Sequence, residues 1–356
     1  MSFIKEHLRI ILSIIIPIAT AGLTVTLLMI VLPNDNSTPA NTKDVTTPIS
    51  VAKISTDTST PSTPQSIPSA VTQYGDKYAS GLLPVGDGKS STTTPAKGIV
   101  FVCQAASGTS GGGATTRGPW FVNNNTEYDT SKKVSVSGKV MWTSKYTMTI
   151  NGTNRVITTN DLPADYTTGI FPIQSSDAAY IYDHNPNTIS SQSLNFTLPT
   201  SPTPLSTPGC VSGGNIGVIT TGVALFDAFD AGGRDAGAWE IQDGCGGHPQ
   251  QNGEYHYHTL SSCITNIGAT AVIGYALDGY PITGPTVAKG NIMTTNDLDE
   301  CHGITSSIIL DGKMVNTYHY VMTQDFPYSI SCFHAKSTST SPTTGASKQQ
   351  GPPPKL

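Results

Sequence analysis

Charge is scarce in this chain. Aspartate, glutamate, lysine and arginine make up only 12% of its 356 residues, and 19 basic groups face 24 acidic ones. A net charge of −5 with no basic patch leaves no electrostatic footprint for a polyanion, so nucleic acid is excluded as a partner. Sustained helical periodicity is missing after residue 33, which argues against a helical bundle. No serine-nucleophile elbow, phosphate-binding glycine loop or dinucleotide fingerprint is present. The glycine-rich "SGTSGGGATTRGP" (107–119) joins no strand to a helix and reads as a flexible loop.

What is there begins with an apolar run. "ILSIIIPIATAGLTVTLLMIVLP" extends from Ile11 to Pro33 without a charge, and about 20 apolar residues span a bilayer. Lys5 and Arg9 precede it and Asp35 follows, so the positive-inside rule puts residues 1–10 in the cytoplasm and the rest outside. No small-residue cleavage site follows the run, which favours an uncleaved signal anchor over a signal peptide. The membrane is thus one expected partner, through this helix. The expected location is a cell membrane, single-pass, with an extracellular C-terminal part.

Residues 34–96 are rich in Ser, Thr and Pro and poor in aromatics. Such a stretch buries too little apolar surface to offset chain entropy, and it reads as a disordered stalk; residues 337–356 have the same character. That leaves 97–336 for one extracellular domain. Its periodicity is β: "GIVFVCQ" and "KKVSVSGKVMW" have strand patterns, and Asn151-Gly152 joins two β-rich arms as a hairpin. The expected fold class is mainly β, a single disulfide-linked domain of short strands and irregular loops.

The second half repeats itself. "GVALFDAFD" (222–230) compares with "GYALDGYP" (274–281). After the first come Asp243-Gly-Cys245, Tyr255-His256-Tyr257 and Cys263; after the second come Asp299-Glu-Cys301, Tyr318-His319-Tyr320 and Cys332. Five features in one order indicate a duplicated β unit, with copies at about 214–263 and 267–332.

Six of the eight histidines lie between His248 and His334. Along a strand, residues two apart share a face about 6.6 Å from one another. His256 and His258 therefore point one way, and Tyr255 and Tyr257 the other. Two imidazoles on one face can converge on one ion at about 2.0–2.1 Å from each nitrogen. His248 precedes them by a turn, and His319 holds the matching position of the second copy. His248, His256, His258 and His319 are the candidate metal ligands. Imidazole donors suit copper or zinc better than calcium or magnesium. The competing reading makes these histidines satisfied core residues of a strand, each bonded to a carbonyl or hydroxyl. Tyr255, Tyr257, Tyr318 and Tyr320 read as packing residues whose hydroxyls find partners.

An even number of cysteines in a translocated chain points to three disulfides. The order Cys–YHY–Cys, found twice, favours Cys245–Cys263 and Cys301–Cys332 and leaves Cys103–Cys210, although six cysteines allow many connectivities. Asp243, Asp278 and Asp299 stand in turn-like contexts, where aspartate ordinarily bonds its own backbone. No catalytic residue and no organic cofactor is assigned.

The ordered motifs "DGCGGHPQQNGEYHYHTLSSC", "IGYALDGYPITGP", "DECHG" and "TYHYVMTQDFPYSISCF" resemble the YHYH-domain family. The resemblance covers roughly Lys139 to Lys336 and implies an exported or surface-anchored domain without an assigned reaction. Where the family pattern carries a histidine after an "NGLP"-like stretch, this chain has Asp165-Tyr166 in "NDLPADYTTGIFP". The second copy ends in Val321 and lacks the final histidine of the motif. The leading expectation is transition-metal binding by the clustered histidines. The alternatives are a metal- or carboxylate-dependent hydrolase or oxidase, and an adhesion or structural surface module with a protein or glycan partner of unknown identity.

Overall fold

The computed structural model describes residues 78, 80–106, 108, 112–164, 166–264, 268–287 and 292–338. The apolar run 11–33, most of the Ser/Thr/Pro-rich segment, Asp165 and the tail beyond 338 lie outside the described residues. The fold is mainly β with few and very short helices, and it carries three disulfides, Cys103–Cys210, Cys245–Cys263 and Cys301–Cys332.

An eight-stranded sheet forms its centre. We number its strands β1 (Asn215–Ile219), β2 (Ala224–Phe226), β3 (Gly247–Pro249), β4 (Tyr255–Tyr257), β5 (Val272–Ala276), β6 (Pro281–Thr283), β7 (Gly303–Leu310) and β8 (Lys313–Val321). Across the sheet they run β3-β4-β2-β1-β5-β6-β8-β7. The order is a palindrome of connection types. β1–β2 and β5–β6 are antiparallel hairpins, β2–β4 and β6–β8 pair parallel, and β3–β4 and β7–β8 pair antiparallel. The two sequence copies fall on the two halves.

The halves meet where β1 and β5 pair antiparallel, with Val218 opposite Tyr275. Gly217 and Gly274 flank that point. A Cβ on Gly217 would stand 2.7 Å from the Tyr275 carbonyl oxygen, and one on Gly274 2.7 Å from that of Val218. Both distances are too short for a side chain, so the close central pairing requires glycine at both places.

The inner strands β1, β2, β5 and β6 are buried almost throughout because both faces are covered, whereas β7 and much of β8 reach the surface. Tyr255, Tyr257, Tyr320 and Tyr328 are fully buried in the same core as Phe196, Leu198 and Ile216. Phe196 and Leu198 come from a three-stranded sheet over Tyr146–Asn151, Asn154–Thr159 and Leu194–Pro199. Its hairpin sits at the Asn-Gly signal, with Asn151 opposite Asn154 and Gly152 at φ 60°.

The folded region reaches ahead of the Lys97 boundary expected from composition. Leu82–Pro84 pairs with Glu127–Asp129, and Leu83 and Val85 are buried in a second core around Trp120 and Tyr128. The short apolar stretch "GLLPV" (81–85) supplies what the surrounding polar sequence lacks.

Candidate metal centre

The β3–β4 ladder builds the site. The turn at Gln251–Gly253, with Asn252 at φ 68°, reverses the chain and sets His248 directly opposite His256. His258 follows two residues on, so its ring lies on the same face, 4.9 Å from that of His256 between ring centres. The His248 ring centre is 4.5 Å from that of His256 and 5.5 Å from that of His258. The fourth member is Glu240, which leaves the one-turn helix α1 (Ala236–Trp239). All four are buried, between 2% and 5% exposed, and one donor atom from each lies within 4.8 Å of all the others.

The hydrogen bonds behind the rings decide which atoms face inward. His258 Nδ1 bonds the Asp227 carbonyl, and His256 Nδ1 bonds that of Glu254 at 3.2 Å. Carbonyl oxygens only accept, so both Nδ1 atoms carry hydrogen, and the neutral rings present lone pairs at Nε2. Those two Nε2 atoms lie 3.1 Å apart. Glu240 Oε2 stands 2.9 Å from His258 Nε2 and 2.8 Å from His248 Nε2. Neither carboxylate contact has the direction of a hydrogen bond: Glu240 Oε2 and both His248 nitrogens are buried without a hydrogen-bond partner. Imidazole lone pairs and a carboxylate oxygen thus converge in the core, an arrangement that needs a cation at its centre.

Without a metal, that cation is a proton. Burial alone would push His258 down, but the Glu240 carboxylate beside it and the Asp227 carbonyl raise it to about 9. Burial likewise works to raise Glu240, and the imidazoles of His248 and His258 outweigh it and hold its carboxyl well below the usual range. His256 is pushed well below an ordinary imidazole by burial and by its two histidine neighbours. Phe226 stacks on His256 with ring centres 3.9 Å apart and closes that side.

The residues present suit a transition metal. Tetrahedral coordination at about 2.0–2.1 Å places neighbouring donors about 3.3 Å apart, close to the 2.8, 2.9 and 3.1 Å contacts seen. Backbone carbonyls orient His256 and His258 as outer-shell acceptors orient metal-bound imidazoles.

His319 is not brought to this cluster. It is buried in the other half of the sheet, where its Nδ1 meets Thr283 Oγ1 at 3.0 Å and its Nε2 meets Ser306 Oγ at 2.8 Å. Both ring nitrogens are therefore satisfied, and burial lowers it to about 4. The expectation that the pseudo-twofold would carry His319 to the same ion fails because the axis runs between β1 and β5 and keeps the two YHY strands apart. Sequence reasoning missed Glu240. Its signal was a single carboxylate between Trp239 and Ile241, in a chain short of charge.

Three of the four tyrosines find hydroxyl partners as expected, while the Tyr257 hydroxyl is buried without one. Tyr255 donates to Asp243 at 2.9 Å, Tyr320 to Asp278 at 2.6 Å and Tyr318 to Asp299 at 3.2 Å. Those aspartates also accept backbone N–H groups: Asp243 from Gly169 and Cys245, Asp278 from Ala335, Asp299 from Cys301 and Gly303. Each of the three aspartates is thus tied to the backbone through at least one oxygen.

No curated protein and no solved structure matches this chain. Residues 195–296 match the model of a family described as "YHYH protein", a narrower span than the motifs suggested. It contains Glu240, His248, His256 and His258 but stops short of β7 and β8. What the comparison shows is a YHYH-family match over residues 195–296, the segment that holds all four clustered side chains.

Proposed function

We propose that this domain binds one transition-metal ion through Glu240, His248, His256 and His258. The observation that carries this reading is the meeting of two imidazole Nε2 atoms, oriented by backbone carbonyls, with a buried carboxylate oxygen that has no hydrogen-bond partner. Three nitrogens and one oxygen suit zinc or copper. Four protein donors in a buried setting fit a closed site that stabilises the fold or stores metal better than an open catalytic one. No reaction is assigned.

The test is metal analysis of the purified protein after reconstitution with Zn²⁺ or Cu²⁺ and removal of excess. One ion per chain is expected in the wild type and none in His256→Ala/His258→Ala, with near-ultraviolet circular dichroism as the folding control. A wild type that retains no stoichiometric metal contradicts the proposal.

We further propose that the domain works outside the cytoplasm on a membrane anchor at residues 11–33. Support comes from the length and flanking charge of that run and from three disulfides, which persist in oxidising compartments. Protease added to intact cells should remove the domain. Protection until the membrane is permeabilised would contradict the placement.

A further inference from the structure

Beside the metal cluster, but separate from it, a lysine is buried against an amide. Lys133 and Gln242 are each 2% exposed. The Lys133 Nζ donates to the Gly237 carbonyl at 2.7 Å and to Gln242 Oε1 at 3.2 Å. Among the described residues no carboxylate lies within ion-pairing distance of this ammonium. The Gln242 Nε2 on the far side of the same amide is buried with no hydrogen-bond partner. The backbones hold the pair in place: Val136 and Asp243 form a parallel bridge, and the Val136 N–H donates to the Gln242 carbonyl at 2.9 Å.

We propose that Lys133 and Gln242 are the partners of an intramolecular isopeptide cross-link that the folded protein forms on itself. An amine held at contact distance from an amide, away from water, has the proximity that turns a slow bimolecular acyl transfer into an intramolecular one. In its neutral form Lys133 Nζ attacks Gln242 Cδ, and an Nζ–Cδ bond forms. The Cδ–Nε2 bond breaks as Nε2 takes the proton lost by Nζ and leaves as ammonia. One amide replaces another, and no oxidant or reductant is needed. Burial lowers Lys133 to about 8, against the opposing pull of Asp235, Glu240 and Asp183, so roughly a tenth of it is the free amine at neutral pH. The bond would tie the segment after Glu127–Asp129 to the stretch that carries Glu240.

Mass spectrometry of the disulfide-intact protein decides the matter. The wild type should be lighter than its sequence by one ammonia, beyond the hydrogens lost to three disulfides. After reduction and trypsin, the loss should map to a branched peptide joining Lys133 to Gln242, with no cleavage after Lys133. Lys133→Arg and Gln242→Leu should each restore the ammonia. If either variant fails to fold, the wild-type peptide map still decides. Cleavage after Lys133 with Gln242 at its sequence mass overturns the proposal. An ammonia loss located instead at Asn151-Gly152 or Asn252-Gly253, where asparagine cyclises, overturns it equally. Neither result bears on metal binding, which rests on other residues.

Discussion

The two halves of the central sheet share one plan and differ in what fills the same pocket. Aligned on their tyrosines, His256 matches His319, His258 matches Val321, and His248, opposite His256, matches Ile304, opposite His319. In the first half these positions and Glu240 form the polar cluster. In the second, Val321 packs with Val287 and Leu298, and Ile304 and Met293 complete an apolar cluster. The one histidine that remains there has both nitrogens bound to hydroxyls. Phe226, which stacks on His256, is matched by Thr283, which bonds His319. A single scaffold thus holds one pocket that asks for a cation and one that is satisfied without it. The strand plan supplies the fold, and the exchanged side chains together with Glu240 supply the chemistry.

That contrast predicts its own failures, the largest first. Saturating Zn²⁺ or Cu²⁺ at a hundredfold excess over Kd should stabilise the wild type by about 2.7 kcal/mol, a rise in Tm of roughly 5–10 °C for a domain of this size. Glu240→Gln should lose most of that shift in calorimetry, while His319→Gln should keep it. An equal loss in both would erase the distinction between the halves.

Rebuilding the second pocket is the converse experiment. Ile304→His/Val321→His buries two imidazoles among Val287 and Leu298 and should destabilise the metal-free protein by about 2 kcal/mol. Added metal should recover part of this, because His319 then has two histidines beside it. Denaturant titration with and without metal reads both effects; absence of any recovery would show that the two pockets are not geometrically equivalent.

His319→Ala alone removes two buried hydrogen bonds and should cost about 1–3 kcal/mol, with metal content unchanged. The most gradual effect is one of pH. Burial holds His319 down to about 4 and His302 to about 3, whereas both titrate near 6.5 when unfolded. Between those values the unfolded chain binds more protons, so stability falls as pH drops from about 6.5 towards 4, by at most about 1.4 kcal/mol per unit for each ring. His319→Gln should flatten that slope in acid titrations of stability; an unchanged slope would mean that the ring is protonated in the fold.

The sequence carried the sheet and much of the site, for identifiable reasons. Period-two spacing placed His256 and His258 on one face, and the turn-forming "PQQNGE" returned His248 to them. The twice-occurring Cys–YHY–Cys order led to the disulfides that are present. Glu240 and His319 were not legible because convergence across elements depends on sheet order. Glu240 arrives from a one-turn helix on another element, and His319 lies across the β1–β5 axis. The start of the folded region was obscured because "GLLPV" contributes only two buried side chains from within a polar stretch.

The central claim is that the cation belongs to one half alone. Anomalous diffraction from metal-loaded crystals tests it directly. The account predicts a single peak bounded by His248, His256, His258 and Glu240, with bonds of about 2.0–2.2 Å, and no peak near His319. A peak at His319, or none at the cluster in crystals soaked with both Zn²⁺ and Cu²⁺, would contradict it.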